Sequence, residues 1–347
     1  MNKCDIIIPV WNELESTKEC INRLKESTSY PYRLIVIDNG SLKPTGDYLE
    51  SLKTVFPELL LIKNSVNLGF VKAVNQGIVS SDSPHICILN NDAYVTQDWL
   101  TLLMDAVLSG PGNIGMANPT SNVFGRDSAD GEKYEWQELD CCKGFCMLIK
   151  REVVDRIGLF DEIYGMGYFE EKDFSRRAIE AGYICIRSKA SFVFHKDRLS
   201  FGKIEGRDEI FTKNEAIYNK RWGRPLNIAF MVKKKDDLKG GQSLIYELLR
   251  RGHCVNIFST KREYLDGLKD HIQIRFIRAG NLLFENQVLF KLWERLRKKR
   301  IEIIVTKEKS TKKFFDMFKF VHRADVPDSY DEVVRLCEIK SRQGRDW

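Results

Sequence analysis

Long apolar runs are missing from this sequence. No window approaches the ~20 uninterrupted apolar residues that a membrane-spanning helix requires. The apolar run near the start, Ile6 to Val10, is followed by Glu13, which reads as a buried strand and not as a signal peptide. Cysteine is present at nine positions but without the paired Cys-x-x-Cys spacing, even where Cys141, Cys142 and Cys146 cluster. That disfavours a zinc site and suggests reduced thiols in a cytosolic protein. No internal repeat or low-complexity tract is evident. A Lys/Arg-rich phosphate loop is absent from residues 5–13, which argues against a nucleotidyltransferase. Aromatic and basic residues are not interleaved in the way a nucleic-acid-binding sheet face requires, so no nucleic-acid partner is expected.

What is present is the composition of an ordinary globular protein, 43% hydrophobic and 30% charged over 347 residues, long enough for two domains. The net charge of +6 is unevenly divided. Residues 226–347 hold 27 Lys and Arg against 17 Asp and Glu, so the first 225 residues are net acidic. The basic part either faces an anionic surface, such as phospholipid or a lipid-linked phosphate, or is a solvated exterior.

Apolar strands and helical patterns alternate from the start. Strands are expected at Asp5–Val10, Arg33–Asp38, Leu59–Lys63 and His85–Leu89, and helices at Leu14–Ser27 and Gly69–Ser80. Continuous apolar strands separated by helices imply a parallel sheet covered on both faces. Ligands of such sheets bind beyond the carboxyl ends of the strands, which directs attention to Trp11–Glu13, Asp38–Gly40 and Asn90–Asp92. The pattern breaks at Arg221–Pro225 and restarts with strand Asn227–Val232, helix Ser243–Arg251, strand Val255–Ser259, a basic helix Phe284–Arg300 and strand Ile301–Thr306. Domains of 1–225 and 226–347 follow from that break.

Three acidic positions come from separate segments: Asp38, Asp92 and the group Glu170, Glu171 and Asp173, which follows the Gly- and aromatic-rich stretch 164–169. Each alone reads equally as a helix cap, a turn residue or an acidic first helical turn. Together on one sheet rim they suggest a cation held by one carboxylate and a proton taken by another.

The stretches DIIIPVWNE (5–13), LIVIDNGS (34–41), NLGFVKAVNQGI (67–78), LNNDA (89–93), GFCMLIKREVVDRIGLFDE (144–162) and FEEKDFSRRAIEAGY (169–183), with His195 and Ser200, occur in an order and spacing that resemble the family 2 inverting glycosyltransferases, in particular their rhamnosyltransferase-like branch. The resemblance spans roughly residues 3–224. It implies an A-type glycosyltransferase fold, that is, an α/β fold with a mostly parallel nucleotide-binding sheet. It also implies transfer of a hexosyl or deoxyhexosyl group from a UDP- or dTDP-linked donor to a glycan or lipid-linked acceptor, in cell-surface polysaccharide or glycoconjugate synthesis, with Mn2+ or Mg2+. Residue by residue, it gives Asp38 to the nucleotide base and Asn90 to the ribose or donor sugar. Pro9, Trp11, Glu13, Asn67, Lys72 and Asn91 join the donor site, and Asp92 and His195 hold the metal. Glu171 is the catalytic base, and Glu170 and Asp173 stand on the acceptor side. Two departures stand out: Asn90 replaces the first Asp of an Asp-x-Asp motif, and Glu171 replaces the commoner Asp. They leave open an alternative, a degenerate scaffold that binds sugar or lipid phosphate without transfer.

Residues 228–260 resemble the N-terminal half of the B-type, family 4 glycosyltransferases, with Gly240–Gly241 after the first strand, which implies a smaller Rossmann-like α/β domain. Helix 284–300 carries Val288, Leu289, Leu292, Trp293 and Leu296 with six basic residues near its end. Such a helix lies on a membrane surface or packs on its own sheet; both remain open. The protein is expected in the cytoplasm, free or peripheral on the inner face of the membrane.

Overall fold

The structure, a computed structural model, describes residues 3–196, 206–268, 270–295, 300–319 and 324–343. Ser200 and Leu296, named above, lie outside these residues. The chain divides into two compact units, 1–216 and 217–347.

The first unit is built on β1 (Cys4–Val10), β2 (Tyr32–Asn39), β3 (Leu60–Asn64), β4 (His85–Leu89), β5 (Ala93–Val95), β6 (Ile114–Thr120), β7 (Trp136–Leu139), β8 (Cys146–Lys150) and β9 (Ile184–His195). They form a sheet of order β3-β2-β1-β4-β8-β6-β9-β5, with β7 also paired to β9. The first four strands are parallel, as their unbroken apolar sequences predict. Beyond them the sheet is mixed: β8 runs antiparallel to both β4 and β6, and β6 is parallel to β9. The two reversals restore direction, so β6 and β9 end on the same rim as β1, β2 and β4, while β8 begins there.

Both faces are covered. Ile6, Ile8 and Val10 of β1 pack with Cys20, Ile21 and Leu24 of the helix Leu14–Ser27. On the opposite face the helix Phe70–Val79 lies so close that a Cβ on Gly77 would stand 2.4 Å from Cγ2 of Ile7. Only glycine permits that approach. This mixed sheet, covered by helices on both faces, has the α/β architecture expected of this unit from the sequence.

The second unit is a smaller Rossmann-like α/β domain. Its sheet has order β12-β11-β10-β13, from β10 (Asn227–Val232), β11 (Cys254–Ser259), β12 (Ile274–Arg278) and β13 (Ile303–Val305), all parallel. Leu244, Ile245, Leu248 and Leu249 of the helix Gln242–Arg250 cover one face. Phe284, Val288 and Leu292 of the helix Phe284–Arg295 cover the other. That helix therefore packs on its own sheet through one apolar stripe. Among the described residues, no helix is long and apolar enough to cross a membrane.

Candidate active site

The common rim of β1, β2, β4, β6 and β9 opens on a cavity of about 660 Å³. Of the residues expected there, Pro9, Trp11, Asn67, Asn90, Asn91, Asp92, Glu170, Glu171 and His195 line it.

The turn after β4 is fixed from several sides. Asn90 N donates to the carbonyl of Phe145 and Ala93 N to that of Asn90. Asn91 Nδ2 donates to Thr17 Oγ1 at 3.0 Å. Asp92, 6% exposed, lies with Oδ1 3.0 Å from Nε2 of His195. That ring is stacked on Phe145 at 5.4 Å and clamped through its backbone by Asn122, which accepts from His195 N and donates to its carbonyl, both at 2.8 Å. Asn90 Nδ2 is 3.4 Å from the same ring nitrogen, and its Oδ1 is buried without a partner among the described residues.

These three groups suit a divalent cation: a carboxylate oxygen, an imidazole nitrogen and an amide oxygen with no hydrogen bond to lose. Among the described residues no three His, Cys, Asp or Glu side chains converge on one point. Asp92 and His195 are therefore a pair and not part of a three-residue cluster of this kind.

Four expected residues are not on the cavity wall. Asp38 closes its own turn, its Oδ1 accepting from Ser41 N at 2.9 Å. Its neighbour Asn39 takes the position on the wall, because consecutive strand residues face opposite ways. Asn39 also orders the loop beyond it, donating to Asn67 Oδ1 at 2.8 Å and accepting from Leu68 N at 3.1 Å. Lys72 points outward, its ammonium 3.9 Å from Glu162. Glu13 caps the helix Leu14–Ser27 in a left-handed conformation, φ 53°. Asp173 is fully buried, paired at 2.8 Å with Arg177, because residues two apart on a helix do not share a face. It is a core ion pair and not an acceptor-side group.

Glu170 and Glu171 open the helix Glu170–Glu180, where its dipole favours negative charge. Their environments differ. Glu170 is 5% exposed with Oε2 unpartnered among the described residues, and burial, then the charge of Glu171, pushes its carboxyl well above the usual range. Burial thus favours the protonated form of Glu170. A carboxyl raised by folding stabilises the protein fully at low pH and progressively less as pH climbs from the ordinary carboxylate pKa to the raised one. Glu170→Gln retains the neutral form. Its Tm advantage over the wild type should therefore widen as pH rises from about 5 to 8; a gap that stays constant in a thermal melt series would refute the assignment.

Several cavity residues went unread in the sequence: Asn122, Lys143, Phe145 and, from the helix Arg207–Trp222, Arg207, Asp208 and Phe211, whereas Asn39 and Tyr168 lie in stretches the sequence had singled out. Asn122 follows the end of β6 and Lys143 precedes β8, so the strand-end rule would have found both had those strands been recognised.

Residues 5–158 match the family described as "Glycosyl transferase family 2". The match covers less than half of the chain. Similar proteins include the glycosyltransferase AglE of Haloferax volcanii, 25% identical over 191 residues, 51% of this chain and 62% of that protein. Another is the N-acetylglucosaminyl-diphospho-decaprenol L-rhamnosyltransferase of Mycobacterium tuberculosis, 24% identical over 52% of this chain and 71% of that one. The chain thus spans less than two thirds of the first of these relatives. Among solved structures, a mannosyltransferase from Pyrobaculum calidifontis in complex with GDP-Man and Mn2+ aligns with a TM-score of 0.47 and 18% identity, covering 62% of this chain and 69% of that one.

Proposed function

We propose that this glycosyltransferase domain transfers a hexosyl or deoxyhexosyl group from a nucleoside-diphosphate donor to an acceptor hydroxyl by a single, inverting displacement that depends on a divalent cation. The observation that carries the reading is the convergence, in one cavity, of the Asp92–His195 pair and the Glu170–Glu171 pair.

Asp92 and His195, with Asn90, would hold Mn2+ or Mg2+, which when bound offsets the charge that builds on the departing diphosphate. Pro9 and Asn39 at the ends of β1 and β2, Trp11 just after β1 and Asn67 in the loop after β3 form one part of the wall, which we assign to the nucleotide. Asp38, just behind Asn39, remains a candidate for the base through the edge of that wall. The acceptor hydroxyl is a weak nucleophile, and Glu171 takes its proton as it attacks. Attack from the side opposite the leaving group accounts for inversion, with no covalent intermediate on the protein.

The rhamnosyltransferase relative, whose name specifies a polyprenyl-linked acceptor, supports a lipid-linked or glycan acceptor here, and with it a role in polysaccharide or glycoconjugate synthesis. Action at the cytoplasmic face of a membrane fits the outer side of the helix Phe284–Arg295, where Phe290 and Trp293 are each 57% exposed. We read 1–225 as the catalytic domain and 226–347 as acceptor-handling, with the family 4 resemblance of the latter supported by its parallel β12-β11-β10-β13 order.

The test is release of nucleoside diphosphate from a panel of nucleotide sugars, with Mn2+ or Mg2+ and with chelator. At least one donor should turn over with metal, and the chelator should abolish it. A panel left intact under every metal condition would favour a binding scaffold.

A further inference from the structure

The wall of the cavity around Glu171 is aromatic in a way that donor binding does not use. Phe211 lines the cavity and is 42% exposed, an uncovered apolar ring. Tyr168 meets it edge to face, with centroids 5.5 Å apart and planes at 76°. Phe169, buried behind them, supports Phe211 from 5.2 Å. The backbone has been bent to present these rings: Tyr168 and Phe169 are consecutive left-handed residues, φ 69° and 71°. Bulky side chains rarely adopt that conformation, and it persists only where the surroundings enforce it. Asn214 enforces it. Its amide, 2% exposed, donates to the carbonyls of Tyr164 at 2.9 Å, Gly167 at 2.7 Å and Tyr168 at 3.2 Å. One helix, Arg207–Trp222, therefore supplies both the ring and the amide that fixes its partner.

We infer that Tyr168 and Phe211 form the acceptor platform, a stacking surface for the apolar face of a pyranose whose hydroxyl edge reaches Glu171. A pyranose presents axial C–H bonds on one face and hydroxyls around its edge, and the electron-rich face of an aromatic ring attracts those C–H groups. Tyr168 stands three residues before Glu171, and Phe169 immediately precedes the helix that Glu171 helps to open. A sugar lying on these rings has its edge at the carboxylate. The nucleotide is assigned to the wall after β1 and β2, so the platform is not needed for the base. The inference rests on the glycosyl-transfer reading and adds the class of group that the acceptor must present: a pyranose ring, not a bare alcohol or an amino-acid hydroxyl.

The experiment uses the full chain with Mg2+, UDP or dTDP, and methyl pyranosides of the hexose, N-acetylhexosamine and deoxyhexose classes. Binding is followed by saturation-transfer NMR, and nucleotide affinity by calorimetry. At least one pyranoside should bind, with transfer strongest to the protons of one ring face. Phe211→Ala should weaken that binding about tenfold, Phe211→Trp should retain it, and both should bind nucleotide as the wild type does. The position is exposed, so neither variant threatens the fold. Three results overturn the inference: a wild type that binds nucleotide but no pyranoside, an alanine variant that binds pyranoside undiminished, or an alanine variant that loses nucleotide, which would make the ring part of the donor site. A wild type that binds no nucleotide would instead remove the transfer reading, and the platform with it.

Discussion

Asp92→Ala should abolish cation-dependent binding of a nucleoside diphosphate. Asp92 is the only carboxylate in the turn 90–92, since Asn90 stands where a first acidic residue would otherwise share the task. A buried carboxylate next to an imidazole is the strongest oxygen donor on that part of the wall. Loss even of groups that merely orient metal ligands lowers affinity 10- to 100-fold, so loss of a ligand itself should cost more than about a hundredfold. His195→Ala should cost less, because Asp92 and Asn90 Oδ1 remain. Calorimetric titration with nucleoside diphosphate, in Mn2+ and in chelator, separates the cases. Should Asp92→Ala bind nucleotide with an undiminished Mn2+ dependence, Asp92 is not a cation ligand, and its 3.0 Å contact with His195 is purely structural.

The asymmetry between what was legible in the sequence and what was not follows from the sheet. The parallel half announces itself. IIIPV, LIVI and HICIL are buried on both faces and so carry no polar interruption, and the strand-end rule led directly to Trp11 and Asn90–Asp92. The antiparallel half does not. β6, IGMANPT, is wholly buried yet includes Gly, Asn and Pro, and Asn118 earns its place by donating to the carbonyls of Lys143 and Cys146. β9, ICIRSKASFVFH, buries Arg187 against Asp130 at 2.7 Å, so its sequence looks amphipathic although the strand is paired on both sides. Pairing across β4, β8, β6 and β9 is a long-range property that local periodicity cannot express. With those strands unread, the residues at their ends, Asn122 and Lys143, were unread too.

A different limit applies to Asp38 and Asn39. Sequence pattern identified the strand end but not which of two adjacent polar residues faces the cavity, and a shift of one residue exchanges the faces of a strand. At Gly40 the constraint is sharper. Its φ is 78°, and a Cβ there would lie 2.5 Å from the backbone carbon of Val66. The chain must turn at that glycine, and the turn holds Asp38 against Ser41 while Asn39 faces the cavity. The aromatic platform was legible only in part. The Gly- and aromatic-rich stretch 164–169 stood out, but Phe211 and Asn214 stand some forty residues further on and carry no motif of their own.

The largest kinetic effect is expected from Glu171→Gln. The substitution keeps the size of the side chain and its place on the wall but removes the ability to accept a proton, so turnover should fall by roughly a hundredfold or more. The two neighbouring carboxylates cannot replace it. Glu170 is buried, and burial, then the charge of Glu171, pushes its carboxyl well above the usual range, which favours the protonated form, and a protonated acid is no base. Asp173 is committed to Arg177 in the core, away from the cavity. Nucleoside diphosphate affinity should be unchanged, because Glu171 is not asked to hold the donor; the loss therefore belongs in kcat and not in donor binding. Glu170→Gln, which fixes the neutral form that burial favours, should retain most transfer. Single-turnover transfer with each variant, beside calorimetry with nucleotide, gives both quantities. Near-normal transfer by Glu171→Gln with an inactive Glu170→Gln would move the base to Glu170 and require that its proton leave when substrate binds. Transfer retained by both would leave the cavity without a protein base and remove the displacement mechanism proposed for it.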